Sequence, residues 1–109
     1  MQVILLPEVL DYLEDLTIIL YEKGYFSYGE TAINYVLELY DDIVSHLPSH
    51  HQKLASKHFE KFGKGMKYAS FRKNKQTTWY VFFNIYHNNG ETIYLVRYIS
   101  NNHVIAQYL

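Results

Sequence analysis

Residues 77–100 read TTWYVFFNIYHNNGETIYLVRYIS. Two runs within it, 77–86 and 91–100, are dense in aromatic and β-branched side chains, which fit a pleated, half-buried surface. HNNG (87–90) supplies a glycine-containing tight turn between them, so the pair reads as a β-hairpin. Successive side chains point to opposite faces of a strand. Trp79, Val81, Phe83 and Ile85 therefore share one face, and Tyr80, Phe82, Asn84 and Tyr86 the other. In the second run Ile93, Leu95, Arg97 and Ile99 alternate with Tyr94, Val96 and Tyr98.

Working outward, MKYASFRK (66–73) alternates well enough for a third strand. QVILLP (2–7) reads as a short buried strand, with Pro7 opening a helix at its first turn. From Glu8 to Tyr21, Val9, Leu10, Leu13, Leu16, Ile19 and Leu20 recur at helical spacing. Asp11, Glu14, Asp15 and Glu22 take the opposite face. Gly24 is a natural stop. SYGE (27–30) places Ser27 as N-cap and Glu30 three residues on, a capping box. Ile33, Val36, Leu37, Tyr40, Ile43, Val44 and Leu47 then repeat at three and four until Pro48. The short linker makes the two helices an antiparallel hairpin. In SHHQKLASKHFEKFGKG (49–65), Leu54, Phe59 and Phe62 anchor a short helical turn that Gly63 and Gly65 break.

The expected fold is α+β in the order β-α-α-β-β-β: an N-terminal strand, a helical hairpin, then a three-stranded antiparallel sheet with the helices on one face. The first strand has only that sheet to pair with. The 109 residues suit one domain, spanning 1–109, large enough for a core without metal or disulfide support. Twelve Tyr, six Phe and one Trp argue against disorder. The absence of cysteine excludes a thiolate nucleophile. The opening MQVILLPEVL lacks the basic region and length of a signal peptide, and no apolar run is long enough to span a membrane. The expected location is the cytoplasm.

The net charge of −1 conceals an asymmetry. Residues 1–52 carry nine acidic side chains and one basic (Lys23), a net of −8; residues 53–109 carry nine basic and two acidic (Glu60, Glu91), a net of +7. Either the molecule neutralises itself across its interior, or its basic half is available to a polyanion. HLPSHH (46–51) holds His46, His50 and His51 without an acidic or cysteine ligand at zinc spacing, so no metal site is expected. No glycine-rich phosphate loop or nucleophile elbow is present, and no cofactor or small-molecule substrate is expected.

Three stretches together, VILLPEVLDYLEDL (3–16), the helical hairpin, and WYVFFNIYHNNGETIYLVRYISNNHVIAQYL (79–109), resemble the RelE/ParE toxin superfamily of type II toxin–antitoxin systems. The likeness spans essentially the whole chain and is one of element order and texture. It implies a growth-arresting, plasmid-stabilising type of toxin neutralised by a cognate antitoxin protein. One branch of that family cleaves mRNA on the ribosome and inhibits translation; another inhibits DNA gyrase without catalysis. Asn84, in VFFNI (81–85), stands where ribonuclease members often carry Arg, and this favours the gyrase reading. A third reading is an attenuated toxin that only binds its antitoxin.

RNA cleavage through the 2′-hydroxyl needs a base, a cation or donor on the crowded phosphate, and an acid for the leaving 5′-oxygen. Arg97 is the candidate for the phosphate, because its planar fork matches it. The alternative is an Arg whose stem packs on the sheet while its head reaches solvent or a carboxylate. His103 and Tyr108 are the acid–base candidates, mapped onto the C-terminal His/Tyr region of the family. Lys57, Lys61, Lys64, Lys67, Arg72, Lys73 and Lys75 are the RNA-binding candidates. Interleaved with Phe59, Phe62, Tyr68 and Phe71, they resemble a patch with lysines on phosphates and aromatics on bases. A solvated basic loop is the alternative.

Overall fold

The computed structural model describes residues 1–24 and 29–109. Its elements are β1 (Gln2–Leu5), α1 (Pro7–Glu22), α2 (Gly29–His46), β2 (Lys53–Leu54), β3 (Lys67–Arg72), β4 (Thr78–Asn88), β5 (Glu91–Asn101) and a short α3 (Asn102–Ile105). The capping box expected at Ser27 lies outside the described residues.

The class is α+β, with helices layered on a sheet. Among the described residues the sheet has five strands, in the order β1-β5-β4-β3-β2, one more than the expected three with the first strand paired to them, and it is mixed. β3, β4 and β5 form the expected antiparallel meander. β1 joins it parallel to β5, with Gln2 opposite Ile93 and Leu5 opposite Val96. Two residues at Lys53–Leu54 add an outer rung against Tyr68 and Lys67. β1 is an edge strand, so only Leu5 is buried and Ile4 is 38% exposed, against the expectation of a buried strand.

The hairpin turn consists of Asn89 and Gly90, with φ of 50° and 79°. Positive φ at both central residues matches the twist of the flanking strands, and Asn followed by Gly is the pair that tolerates it. Gly24, at φ 74°, ends α1: its N–H donates to the Tyr21 carbonyl, while the Lys23 N–H donates to that of Ile19.

Two apolar clusters lie on opposite sides of the sheet. On the helix side, Val9, Leu13 and Leu16 of α1 and Val36, Leu39 and Ile43 of α2 cover Trp79, Val81 and Phe83, with Tyr94, Val96 and Ile99 beside them. Each such side chain contributes on the order of 1.5–3 kcal/mol by leaving water. Trp79 is fixed further by donating Nε1–H to the Tyr35 hydroxyl at 2.9 Å, and Tyr12 meets its ring edge-on. On the other side Phe59, Met66, Tyr68, Phe82 and Ile105 form a smaller cluster, roofed by the 3₁₀ turn at Lys57–Lys61 and by α3. Phe59 anchors that turn as expected, whereas Leu54 is 75% exposed and anchors nothing.

The inward stripes of the helices are narrower than the apolar spacing implied. Leu10, Ile19, Ile33 and Leu37 lie on the outer flank and stay exposed. A helix resting on a flat sheet buries only the stripe nearest it.

β4 and β5 slip by one residue along their length. Phe82 faces Tyr98 and Phe83 faces Val96, which leaves Arg97 without an opposite residue. This bulge breaks the even alternation expected through Ile93, Leu95, Arg97 and Ile99. Ile99 turns to the helix side with Tyr94 and Val96, while Tyr98 packs on the far side against Phe59 and Phe82.

Candidate functional site

The bulge delivers Arg97 to the face opposite the helices, where Asn84 and Tyr86 of β4 receive it. Arg97 Nε donates to Asn84 Oδ1 at 2.7 Å, and Nη2 donates to the Tyr86 hydroxyl oxygen at 2.7 Å. Asn84 is held in turn, because its Nδ2 donates to the Lys64 carbonyl at 3.0 Å. Gly63 completes the seat. A Cβ there would stand 2.7 Å from Arg97 Cδ and 3.1 Å from Met66 Sδ, so only glycine lets the loop lie across the arginine stem. Next to it, Phe62 stacks on Tyr98 with ring centroids 3.9 Å apart.

This arrangement fixes the guanidinium without neutralising it. Both acceptors are uncharged, and no carboxylate among the described residues lies within ion-pair distance of it. A guanidinium has five N–H donors, of which two are used here. The remaining donors and the positive charge suit an anion with paired oxygens. Lys57, Lys61 and Lys64 are exposed on the segment that borders this face.

His103 and Tyr108 do not join Arg97 around one point. His103 follows β5 in α3, where the Asn101 side chain caps its N–H, and its Nε2 shares a 3.2 Å hydrogen bond with the Thr77 hydroxyl. Thr77 and Asn84 are seven positions apart along the β4 direction, roughly 23 Å at about 3.3 Å per residue. The side chain of Arg97 leans toward the hairpin turn and that of His103 toward the other end of the strand. Tyr108 stacks on His58 at 3.7 Å with the rings parallel to within 1°, and its carbonyl accepts from Ser56 Oγ at 2.6 Å. The three side chains therefore lie apart: the peptide after β5 turns into α3, where Ile105 is buried, and this carries His103 away.

The basic segment also divides. Lys57, Lys61 and Lys64 border the Arg97 face. Lys67 is in phase with Ala69 and Phe71 and so stands on the helix side. Lys73 reaches that side too, 3.5 Å from Glu38 and 4.8 Å from the centre of the Tyr35 ring. Arg72 donates Nε to the Asn74 carbonyl in the β3–β4 turn, which also carries Lys75. The aromatics interleaved with these cations are not available to bases. Phe59, Tyr68 and Phe71 are buried, and Phe62 is engaged with Tyr98. Alternation within residues 67–72 put one side of β3 in each apolar cluster, and the reading as a mixed patch overlooked this.

Among the histidines considered for metal, His46 bonds Asp42 one turn back at 2.9 Å. His50 stacks on Phe71 and donates Nδ1–H to the Ser70 carbonyl. Among the described residues no cluster of three metal-ligating side chains exists, and no helix is long and apolar enough to cross a membrane. Gly63, Asn84 and Tyr86 escaped the residue-by-residue reading as partners of Arg97. The signal for two of them was present, since Asn84 and Tyr86 share a face at period two. Comparison with family models, curated proteins and solved structures finds no match to this chain.

Proposed function

We propose that the chain is the toxin component of a type II toxin–antitoxin system of the RelE/ParE kind, a cytoplasmic protein that inhibits translation by cleaving mRNA on the ribosome. The observation that carries the reading is the uncompensated Arg97 guanidinium, held by Asn84 and Tyr86 beside exposed Lys57, Lys61 and Lys64. In this role Arg97 binds the scissile phosphate while the 2′-hydroxyl gives its proton to solvent and bonds to phosphorus, and the P–O5′ bond breaks with the 5′-oxygen taking a proton from solvent. The lysines hold the flanking backbone. The sequence resemblance supplies the family, and the order of one strand, two helices and an antiparallel meander agrees with it. A cognate antitoxin is the expected protein partner.

The test is induction of the chain without its antitoxin. Growth should stop, and transcripts should acquire new 5′ ends within codons. Arrest with intact transcripts would count against the nuclease reading.

The distance between Arg97 and His103 favours a second reading, a gyrase-directed toxin without catalysis. Purified protein should then block DNA supercoiling by gyrase, and a lack of effect at large excess would dispose of it.

A further inference from the structure

The Leu6 N–H donates to the Val96 carbonyl at 3.0 Å, and Pro7 then turns the chain into α1. A cleft of about 580 Å³ opens beside that crossing. Ile99 and Ser100, both buried, make its floor. Leu6, Val9 and Tyr12 make one wall, and Phe62 and Tyr98, stacked at 3.9 Å, make the other. Val104 of α3, 59% exposed, adds apolar surface beyond the end of β5. A concave site of this size, mostly apolar with a few polar groups, has the character of a small-molecule site.

The cleft is long rather than round. Leu6 lies beside Val96, and Tyr12 meets Trp79, which pairs with Asn101, so the α1 wall follows β5 from one end of this stretch to the other. Arg97 to Asn101 spans roughly 13 Å at about 3.3 Å per residue. The cations gather at one end. Gly63 lies against the Arg97 stem, and Lys61 Nζ stands 5.4 Å from the centre of the Phe62 ring. Neither Lys61 nor Arg97 is within ion-pair distance of a carboxylate among the described residues. Glu8 is the one acid in the lining, so the cleft carries a net charge of +1. That balance suits a single negative charge, and Glu8 opposes a second. The Val104 end has no charged lining residue to receive one.

We infer that this cleft binds a small organic monoanion with an apolar body, a medium-chain monocarboxylate, its carboxylate at Lys61 and Arg97 and its chain laid along the α1 wall toward Val104. The donors that Arg97 leaves unused suit the paired oxygens of a carboxylate. The apolar walls take the chain out of water, and that burial sets the affinity. The inference does not rest on the toxin reading. A chain that arrests no growth holds the same cleft.

The experiment is an NMR titration of the whole chain with butyrate, hexanoate and octanoate at neutral pH, below micelle-forming concentrations. Amide shifts should map to residues 6–12, 61–63 and 97–104, and affinity should rise about three- to four-fold per added methylene. Octylammonium, with the same tail and the opposite charge, should bind about tenfold more weakly, as loss of a charge-assisted hydrogen bond predicts. Octanedioate should also bind more weakly than octanoate, because its second carboxylate meets the apolar end. Lys61→Gln, altered at an exposed position, should weaken octanoate about two- to five-fold, the range of an exposed ion pair. Val104→Lys, also exposed, should reverse the preference and favour octanedioate. Unshifted amides at millimolar octanoate overturn the inference. So do shifts that map to the groove between α1 and α2. Affinity that stays flat with chain length would reveal only an adventitious anion on two cations, and equal binding of octylammonium would show that charge is not read; either result overturns it.

Discussion

The Arg97 guanidinium and the Asn84 side-chain amide lie 2.7 Å apart, Nε to Oδ1, and the same amide spends its Nδ2–H on the Lys64 carbonyl. One neutral side chain therefore ties a strand, a bulge and a loop together and leaves the positive charge unbalanced. Asn84→Asp tests what that neutrality is for. The carboxylate still accepts from Arg97 but cancels its charge and loses the donor to Lys64. Affinity for single-stranded RNA, read by fluorescence anisotropy, should fall about tenfold, roughly the worth of one charge-assisted hydrogen bond. The same variant should relieve growth arrest on induction.

Gly63→Ala probes the seat from the other side. The added methyl meets Arg97 Cδ at 2.7 Å, and Arg97 is pinned by two hydrogen bonds and cannot swing clear cheaply. Urea denaturation should show a loss of about 1–3 kcal/mol, typical of overpacking. Arg97→Ala in the same chain should recover most of that loss, giving a coupling that two independent sites would not show.

A third expectation concerns alkali. Burial, followed by the neighbouring Tyr98 and Tyr35, raises the Tyr12 phenol above its ordinary 10.0, and burial raises that of Tyr35. A raised folded-state value means the neutral phenol is favoured by the fold. That stabilisation is complete below pH about 10 and is lost as pH rises through the higher folded value. Thermal melts should therefore be flat from pH 8 to 9.5 and fall above about pH 10. Tyr12→Phe should flatten part of that fall, and an unaltered alkaline limb in this variant would refute the assignment.

The turn at Asn89–Gly90 offers a fourth check. Gly90 has φ of 79°, a region that costs a side-chain-bearing residue about 1 kcal/mol or more. Gly90→Val should lower the urea midpoint without changing its slope, because the hairpin turn lies far from either apolar cluster.

Much of this architecture was legible in residues 77–100. Period two put Trp79, Val81, Phe83 and Ile85 on one face, which proves to be the one the helices cover, and HNNG placed the turn. Gly24 stopped α1 where a left-handed residue was needed. The bulge at Arg97 was not legible, because no glycine or proline marks it and its cause is the packing of Tyr98 on one side and Ile99 on the other. β2 is two residues long, too short to show any alternation. The outward position of Leu10 and Leu37 depends on how a helix rests on a sheet, which spacing alone does not record. Of the candidate site, Arg97 lies on the face opposite the helices, held by Asn84 and Tyr86. His103 and Tyr108 were displaced by the need to bury Ile105, a tertiary demand in a segment with little periodicity of its own.

The parallel pairing of β1 with β5 sets the order in which the molecule becomes itself. Gln2 finds its partner only when Ile93 has been made, so the first strand waits while the helical hairpin, β3 and β4 are synthesised. Closing a loop of that span is slow, and proteins dominated by such pairings fold slowly for their size. Until then α1 and α2 hold their apolar stripe toward an incomplete sheet. A chain that stops before β5 also lacks Arg97, so completion of the fold and arrival of its unbalanced cation are a single event in time.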